Sequence, residues 1–215
     1  MLSVKQVKAL TAVCALLAIS LATIGTADAA KKHKRPFCSP ANSKVLKRTS
    51  AVRILYVEHP AGADPYGTPA TVYACFPARK KRTKLLELSS TDSWTPNIMA
   101  LNNRFFAVAA TVDDVVCEKY AQAGCVSNYV ADFKLANGKL RCSASVQATA
   151  LALTSNGWIA WLTSGGTGQP STLSACDSAG KRTLDQGTID AASVLAAGTA
   201  VNWTRDGQPQ SATLH

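Results

Sequence analysis

Short runs of β-branched and aromatic residues, each bounded by turn residues, recur along this chain from position 45 onward. Val52 to Val57, Thr71 to Cys75, Phe105 to Ala109 and Trp158 to Leu162 are such runs. Their length and composition predict strands rather than helices. Asn137-Gly138, Asn156-Gly157 and Asp206-Gly207 lie between apolar segments. Both residues of such pairs accept positive φ, so they predict tight type I′ hairpin turns. Asp113 to Gln122 is the one helix candidate, since no other window carries helical periodicity with caps.

The runs also repeat. Leu151 to Trp161 reads as strand, turn, strand, and Leu173 to Leu184 as a second hairpin turning at Gly180. A weaker copy opens at Met99 to Val108 and continues at Val130 to Leu140; a still weaker one pairs Arg53 to Val57 with Val72 to Phe76. Val194 to Trp203 is a half-copy. Aligned on the second strand of each unit, Leu55, Phe106, Ile159 and Val201 correspond, at intervals of 51, 53 and 42 residues. A unit of four short strands cannot bury its faces alone and must stack on its neighbours. The expectation is an all-β, repeat-built, small β-propeller-like domain of about four blades, with an irregular β-sandwich as the alternative. The last unit lacks a fourth strand, which the segment from Cys38 to Val45 is expected to supply, closing the ring. Two long connections, Glu58 to Pro69 and Thr111 to Ser127, fall at matching places in the repeat, where the third unit has the Gly-rich Thr163 to Pro170. Insertions so placed share one face of a repeat protein.

The start of the chain reads differently. Lys5 and Lys8 precede an uncharged apolar run, Ala9 to Ile24, followed by Ala27-Asp28-Ala29. This is the pattern of a signal peptide over residues 1–30, cleaved near Ala29-Ala30. The run is shorter than the ~20 residues a spanning helix needs, and no later stretch is apolar enough, so no transmembrane segment is expected. Residues 31–44 form a basic N-terminal tail and residues 45–215 a single β-repeat domain. The address implied is secreted, extracellular or at the cell envelope, and the protein is expected to be a monomer.

Cysteine usage fits that address. Beyond Cys14 there are Cys38, Cys75, Cys117, Cys125, Cys142 and Cys176, an even set that predicts three disulfides in an exported chain. Cys117 and Cys125 bracket a short loop and are expected to pair with each other. The other four allow three pairings, of which Cys38–Cys75 with Cys142–Cys176 is favoured. No CxxC is present, and His33, His59 and His215 lie away from any cysteine pair, so no metal site is expected.

The opening Cys38, Val52 to Val57 and Tyr73-Ala74-Cys75, the segment Gly157 to Trp161, and the ending Asn202 to Leu214 resemble those of exported actinobacterial proteins of unknown function. Those proteins are in turn similar to propeller-type repeat proteins. Two departures stand out: the middle unit carries the Cys117 and Cys125 loop, and Asp132-Phe133 stands where the other units have Ala-Cys. The resemblance implies an architecture and no activity.

Charge narrows the function. Residues 31–84 hold 13 basic and 2 acidic side chains, residues 85–215 hold 8 and 10. Two basic clusters dominate, Lys31 to Arg35 and Arg79-Lys80-Lys81-Arg82-Thr83-Lys84. They predict attraction to anionic polymers of the envelope, against the plainer reading of a solvated tail and a solvated turn. No interleaving of aromatic with basic residues suggests base stacking, so nucleic acid is not expected. Trp94, in a polar stretch, is the candidate for stacking on a glycan, while Trp161 and Trp203 occupy equivalent positions and read as core.

Catalytic machinery is sparse. His59 and Asp64 share a loop, but there is no GxSxG elbow. Gly165-Gly166-Thr167-Gly168 lacks the Lys-Ser/Thr of a phosphate loop. Asp113, Asp114 and Glu118 cluster without calcium-loop spacing. The expectation is therefore a secreted, non-enzymatic binding or scaffolding domain that contacts anionic polymers or glycans through Arg79, Lys80, Lys81, Arg82, Lys84 and Trp94, with no cofactor. The alternative is an extracellular hydrolase or lyase acting through the long loops.

Overall fold

Among the described residues, every stretch of regular structure longer than one turn is a strand. The computed structural model describes residues 36–59, 69–89, 92–114 and 126–215. Fifteen strands form four antiparallel meanders in chain order. The first sheet is β1 (Ser43–Arg48), β2 (Arg53–Glu58), β3 (Ala70–Phe76) and β4 (Lys81–Leu88). The second is β5 (Asp92–Leu101), β6 (Phe105–Asp114), β7 (Val126–Lys134) and β8 (Lys139–Ala144). The third is β9 (Ala148–Leu153), β10 (Ile159–Thr163), β11 (Ser171–Asp177) and β12 (Gly180–Gly187). The fourth has three strands, β13 (Leu195–Ala197), β14 (Ala200–Arg205) and β15 (Gln208–Thr213). Two single-turn 3-10 helices, Pro77–Arg79 and Ala191–Ser193, are the only helical turns among the described residues. None is long and apolar enough to cross a membrane.

The sheets stack face to face, and alternation along each second strand explains how. Phe106, Val108 and Ala110 of β6 pack with Ile54, Val72 and Ala74 of the first sheet. Their neighbours Ala107 and Ala109 point the other way, onto Ile159 and Trp161 of β10. Ala160 and Leu162 then meet Val201 and Trp203 of β14. Period-2 side chains put i and i+2 on one face, so a sheet covered on both sides reads as an unbroken apolar run; Phe105 to Ala110 are all buried. Leu55, Phe106, Ile159 and Val201 each lie on the second strand of their sheet, and the last three face the preceding sheet.

The two ends of the stack are finished differently. The outer face of the first sheet, Leu55, Val57 and Cys75, is plugged by Cys38, which is disulfide-bonded to Cys75. On the fourth sheet, Asn202 alternates with the buried Val201 and Trp203 and is exposed, beside its exposed cross-strand neighbour Leu195. The ring closure expected from the sequence is not formed. β1 pairs with β2 inside the first sheet, the fourth sheet keeps three strands, and no hydrophobic cluster among the described residues joins fourth sheet to first. Cys38 is buried against an apolar face of the first sheet that would otherwise meet water. A second disulfide, Cys142–Cys176, crosses from β8 to β11 and ties the second sheet to the third. Both pairings are those the sequence favours; Cys117 and Cys125 lie outside the described residues.

Turn chemistry follows the sequence in part. Asp206 and Gly207 have φ of 50° and 77°, as a type I′ turn requires. At Asn137-Gly138 and Asn156-Gly157 only the glycine is left-handed. The β7–β8 connection is instead a longer turn closed by Gly138 N–H donating to the Lys134 carbonyl at 2.9 Å.

Candidate anion-binding face

The meander topology sends two kinds of connection to opposite ends of the stack. The ends of β2, β6 and β10 and the starts of β3, β7 and β11 lie at one end. The β1–β2, β3–β4, β5–β6, β7–β8, β9–β10 and β11–β12 turns lie at the other. That turn end collects cations from separate parts of the chain. Arg79 and Lys80 sit in the β3–β4 turn, where Lys80 is held left-handed at φ 47°. Lys81 and Arg82 open β4, Arg104 lies in the β5–β6 turn, Lys134 ends β7 and Lys139 opens β8, and all are exposed.

Four of these cations surround one groove. Arg79, Lys81, Arg104 and Lys134 line a cavity of about 630 Å³ between the turns of the first and second sheets. Its apolar wall is Ala51, Phe76, Pro77 and Ala136. Lys81 Nζ donates to the Ala136 carbonyl at 3.0 Å and so fixes one side to the other. Gly138 permits this approach: its φ is +72°, and a Cβ there would run into the Lys84 carbonyl. Among the described residues no carboxylate forms an ion pair with any of the four.

The carboxylates at this end are withdrawn from it. Asp177 is buried and paired with Arg182 at 2.6 Å. The Arg182 hydrogen bond holds its carboxyl below the usual range, against burial, with help from the Ala179 and His215 backbone N–H groups. Asp132 is fully buried, and neither oxygen has a hydrogen-bond partner of good geometry. Burial pushes its carboxyl up to about 7, opposed by the Arg141 guanidinium and the Cys142 backbone N–H. Arg141 lies 3.7 Å away. Its guanidinium centre sits 3.8 Å from the Trp158 ring centroid and 4.7 Å from that of Phe105, and Nη1 donates to the Asn156 carbonyl at 3.3 Å. Burial lowers the Arg141 pKa, offset by Asp132. Gly157 leaves the space, since a Cβ there would collide with both Arg141 and Phe105. The result is a charged wedge between second and third sheets, at the position where the other sheets have Ala74 and Ala175.

The residues singled out from sequence divide as follows. Arg79, Lys80, Lys81 and Arg82 are exposed at the turn end, with Arg82 5.0 Å over the Phe37 ring. Lys84 points elsewhere and is engaged by Glu87 at 2.6 Å. Trp94 is not available to stack on a glycan. It is 9% exposed in the core between first and second sheets, stacked 6.0 Å from Tyr56, with Nε1 donating to the Tyr129 hydroxyl at 2.7 Å. Trp161 and Trp203 are core residues, and Trp203 donates to Asp185 at 2.7 Å. His59 Nε2 is 2.8 Å from the Thr71 hydroxyl. Lys31 to Arg35, Asp64, Glu118 and the Asp114 side chain lie outside the described residues, as does most of the helix candidate, whose first residues Asp113 and Asp114 end β6.

Arg104, Lys134, Lys139 and Lys181 were missed because none belongs to a long basic run in the sequence. A signal existed: the outer strand of each four-stranded sheet has a lysine within its first two residues, Lys81 opening β4, Lys139 opening β8 and Lys181 following Gly180 in β12. Compared with known proteins, the chain matches no family model, no curated protein and no solved structure.

Proposed function

We propose that this chain is an exported, non-enzymatic binding module that engages anionic polymer or glycan of the cell envelope through its turn end. One observation carries the reading: Arg79, Lys81, Arg104 and Lys134 converge on one groove, and among the described residues no carboxylate pairs with any of them. Cations held close together without counter-charge raise the local potential and draw in anions. Supporting the address are the leader-like Ala9 to Ile24 run and two disulfides that tie distant segments, bonds that persist in oxidising compartments.

Retention on cell-envelope fractions tests it. Binding should weaken steeply between low salt and about 0.5 M, since exposed charges are screened within roughly 10 Å at 0.1 M. Replacing Arg79, Lys81, Arg104 and Lys134 together by Gln should release the protein at low salt while leaving its melting temperature nearly unchanged. Equal retention of variant and wild type would reject the reading.

A further inference from the structure

We infer that the ligand of this face is a linear polyanion, without bases to stack, that lies across the strands and touches three successive sheets; the inference rests on the turn end being an anion-binding face. The groove alone would suit a single small anion. The wider pattern does not. Lys81 and Arg82 open β4, Lys139 opens β8, and Lys181 and Arg182 follow Gly180 at the start of β12, each just after the outer turn of its sheet. Stacking places these strand starts at the same end of consecutive sheets. Packed sheets lie about 10 Å apart, so first to third spans about 20 Å. The row stops there, because the fourth sheet has no outer strand and β15 carries no Lys or Arg.

Partners on the page sort which charges are available. Arg182 is occupied by Asp177, and Arg141 by Asp132 and two rings. Lys81 and Lys181 each give a hydrogen bond to a backbone carbonyl of the second sheet, Ala136 at 3.0 Å and Ser143 at 3.1 Å. An ammonium has three donors, so both keep two for a ligand, and Lys139 makes no ion pair among the described residues. Lysine is a point charge without the planar fork of arginine. A row of lysines therefore reads the spacing of charges along a chain rather than the shape of each anionic group, and carboxylate and phosphate serve alike. Aromatic faces for stacking are already covered: guanidinium groups sit over Phe37, Phe105 and Trp158, and Phe76 packs against the core. Base stacking, which supplies much of single-strand nucleic-acid binding, has no platform here.

The experiment is a length series. Oligo-glutamates of four, eight and sixteen residues reach about 14, 27 and 54 Å extended, and inorganic polyphosphates of matched length repeat the test with the other anion. Affinity for the full chain at low salt should rise at least about tenfold from four to eight glutamates and little beyond, as added contacts become intramolecular until the row is spanned. Lys139→Gln with Lys181→Gln should cost the eight-residue peptide about fivefold or more, yet leave the four-residue peptide within about twofold. Lys44→Gln with Lys84→Gln, equal in charge but off the row, should change neither. Polyphosphate following the same length dependence supports the inference. It is overturned if the long and short chains bind alike, if the two double variants behave alike, or if a single-stranded DNA of matched length binds far more tightly than polyphosphate. Length-independent binding would leave the anion-binding face standing, whereas no binding of any chain would remove both.

Discussion

Replacing Asp132 by Asn should change how the stability of this protein depends on pH. Asp132 is fully buried between the second and third sheets, and its carboxyl is pushed up to about 7 from an ordinary 3.8. Between those values the folded protein holds a proton that the unfolded chain has released. The folded state then binds more protons, so stability falls as pH rises. The stability is fully present below about pH 4, is lost progressively as pH approaches 7, and is level above it. Three pKa units at about 1.4 kcal/mol each set a ceiling near 4 kcal/mol. Asn keeps the shape and cannot ionise. Its amide must still be satisfied, and Arg141 loses a counter-ion, so absolute stability at any one pH is a poor readout. The difference in slope is the clean one. Urea unfolding followed by tryptophan fluorescence from pH 4 to 8 should show wild type losing about 2–4 kcal/mol that the variant keeps. Asp177, held low by its Arg182 hydrogen bond, behaves oppositely, adding stability that is lost as pH falls. Asp185 does the same, since hydrogen bonds from Trp203 and Arg205 outweigh its burial. Both are shared by the two proteins and cancel in the comparison. Parallel curves from pH 4 to 8 would refute the account of Asp132.

Other outcomes follow from the same structure. Cys142→Ser with Cys176→Ser should cost about 2–4 kcal/mol in denaturant, because a separation of 34 residues is no longer closed in the unfolded chain; an unchanged midpoint would argue against the bridge. Phe106→Ala, in the core between first and second sheets, should cost about 3–5 kcal/mol by calorimetry or denaturant, and a loss under 1 would mean that contact is loose. Trp94→Phe should lower stability by about 1–2 kcal/mol through the lost bond to Tyr129, and leave glycan binding untouched; loss of glycan binding at unchanged stability would restore Trp94 as a ligand contact. Gly138→Ala should destabilise by at least about 1 kcal/mol, since its positive φ and the Lys84 carbonyl both reject a Cβ.

How far the sequence could be read depended on whether a feature was local. The strands were legible because β-branched runs between turn residues are a short-range signal. Both described disulfides were legible because few alternatives remained. Trp94 was misread through its polar neighbours, although Ser93-Trp94-Thr95 is the alternation of a strand with its tryptophan turned inward, as the exposed, buried, exposed pattern there shows. The closed ring was inferred from a count of strands, yet where a chain ends its stack depends on which face most needs covering. The Leu55, Val57 and Cys75 face drew in Cys38. Arg79 to Arg82 were visible as a run. Arg104, Lys134 and Lys139 join them only once the sheets stack, which no single window contains.

An open line of sheets has a consequence for assembly during synthesis, when the chain emerges from its N-terminus. The segment that plugs the first sheet precedes it in the chain, and each later sheet meets its predecessor. Every docking step thus joins segments that have already emerged, and none waits for the two ends of the chain to find each other. Local contacts of this kind favour rapid folding, and the growing surface left exposed at any moment is one sheet face wide. The Cys142–Cys176 bridge can close only when β11 arrives, tying the third sheet to the second before the fourth is added.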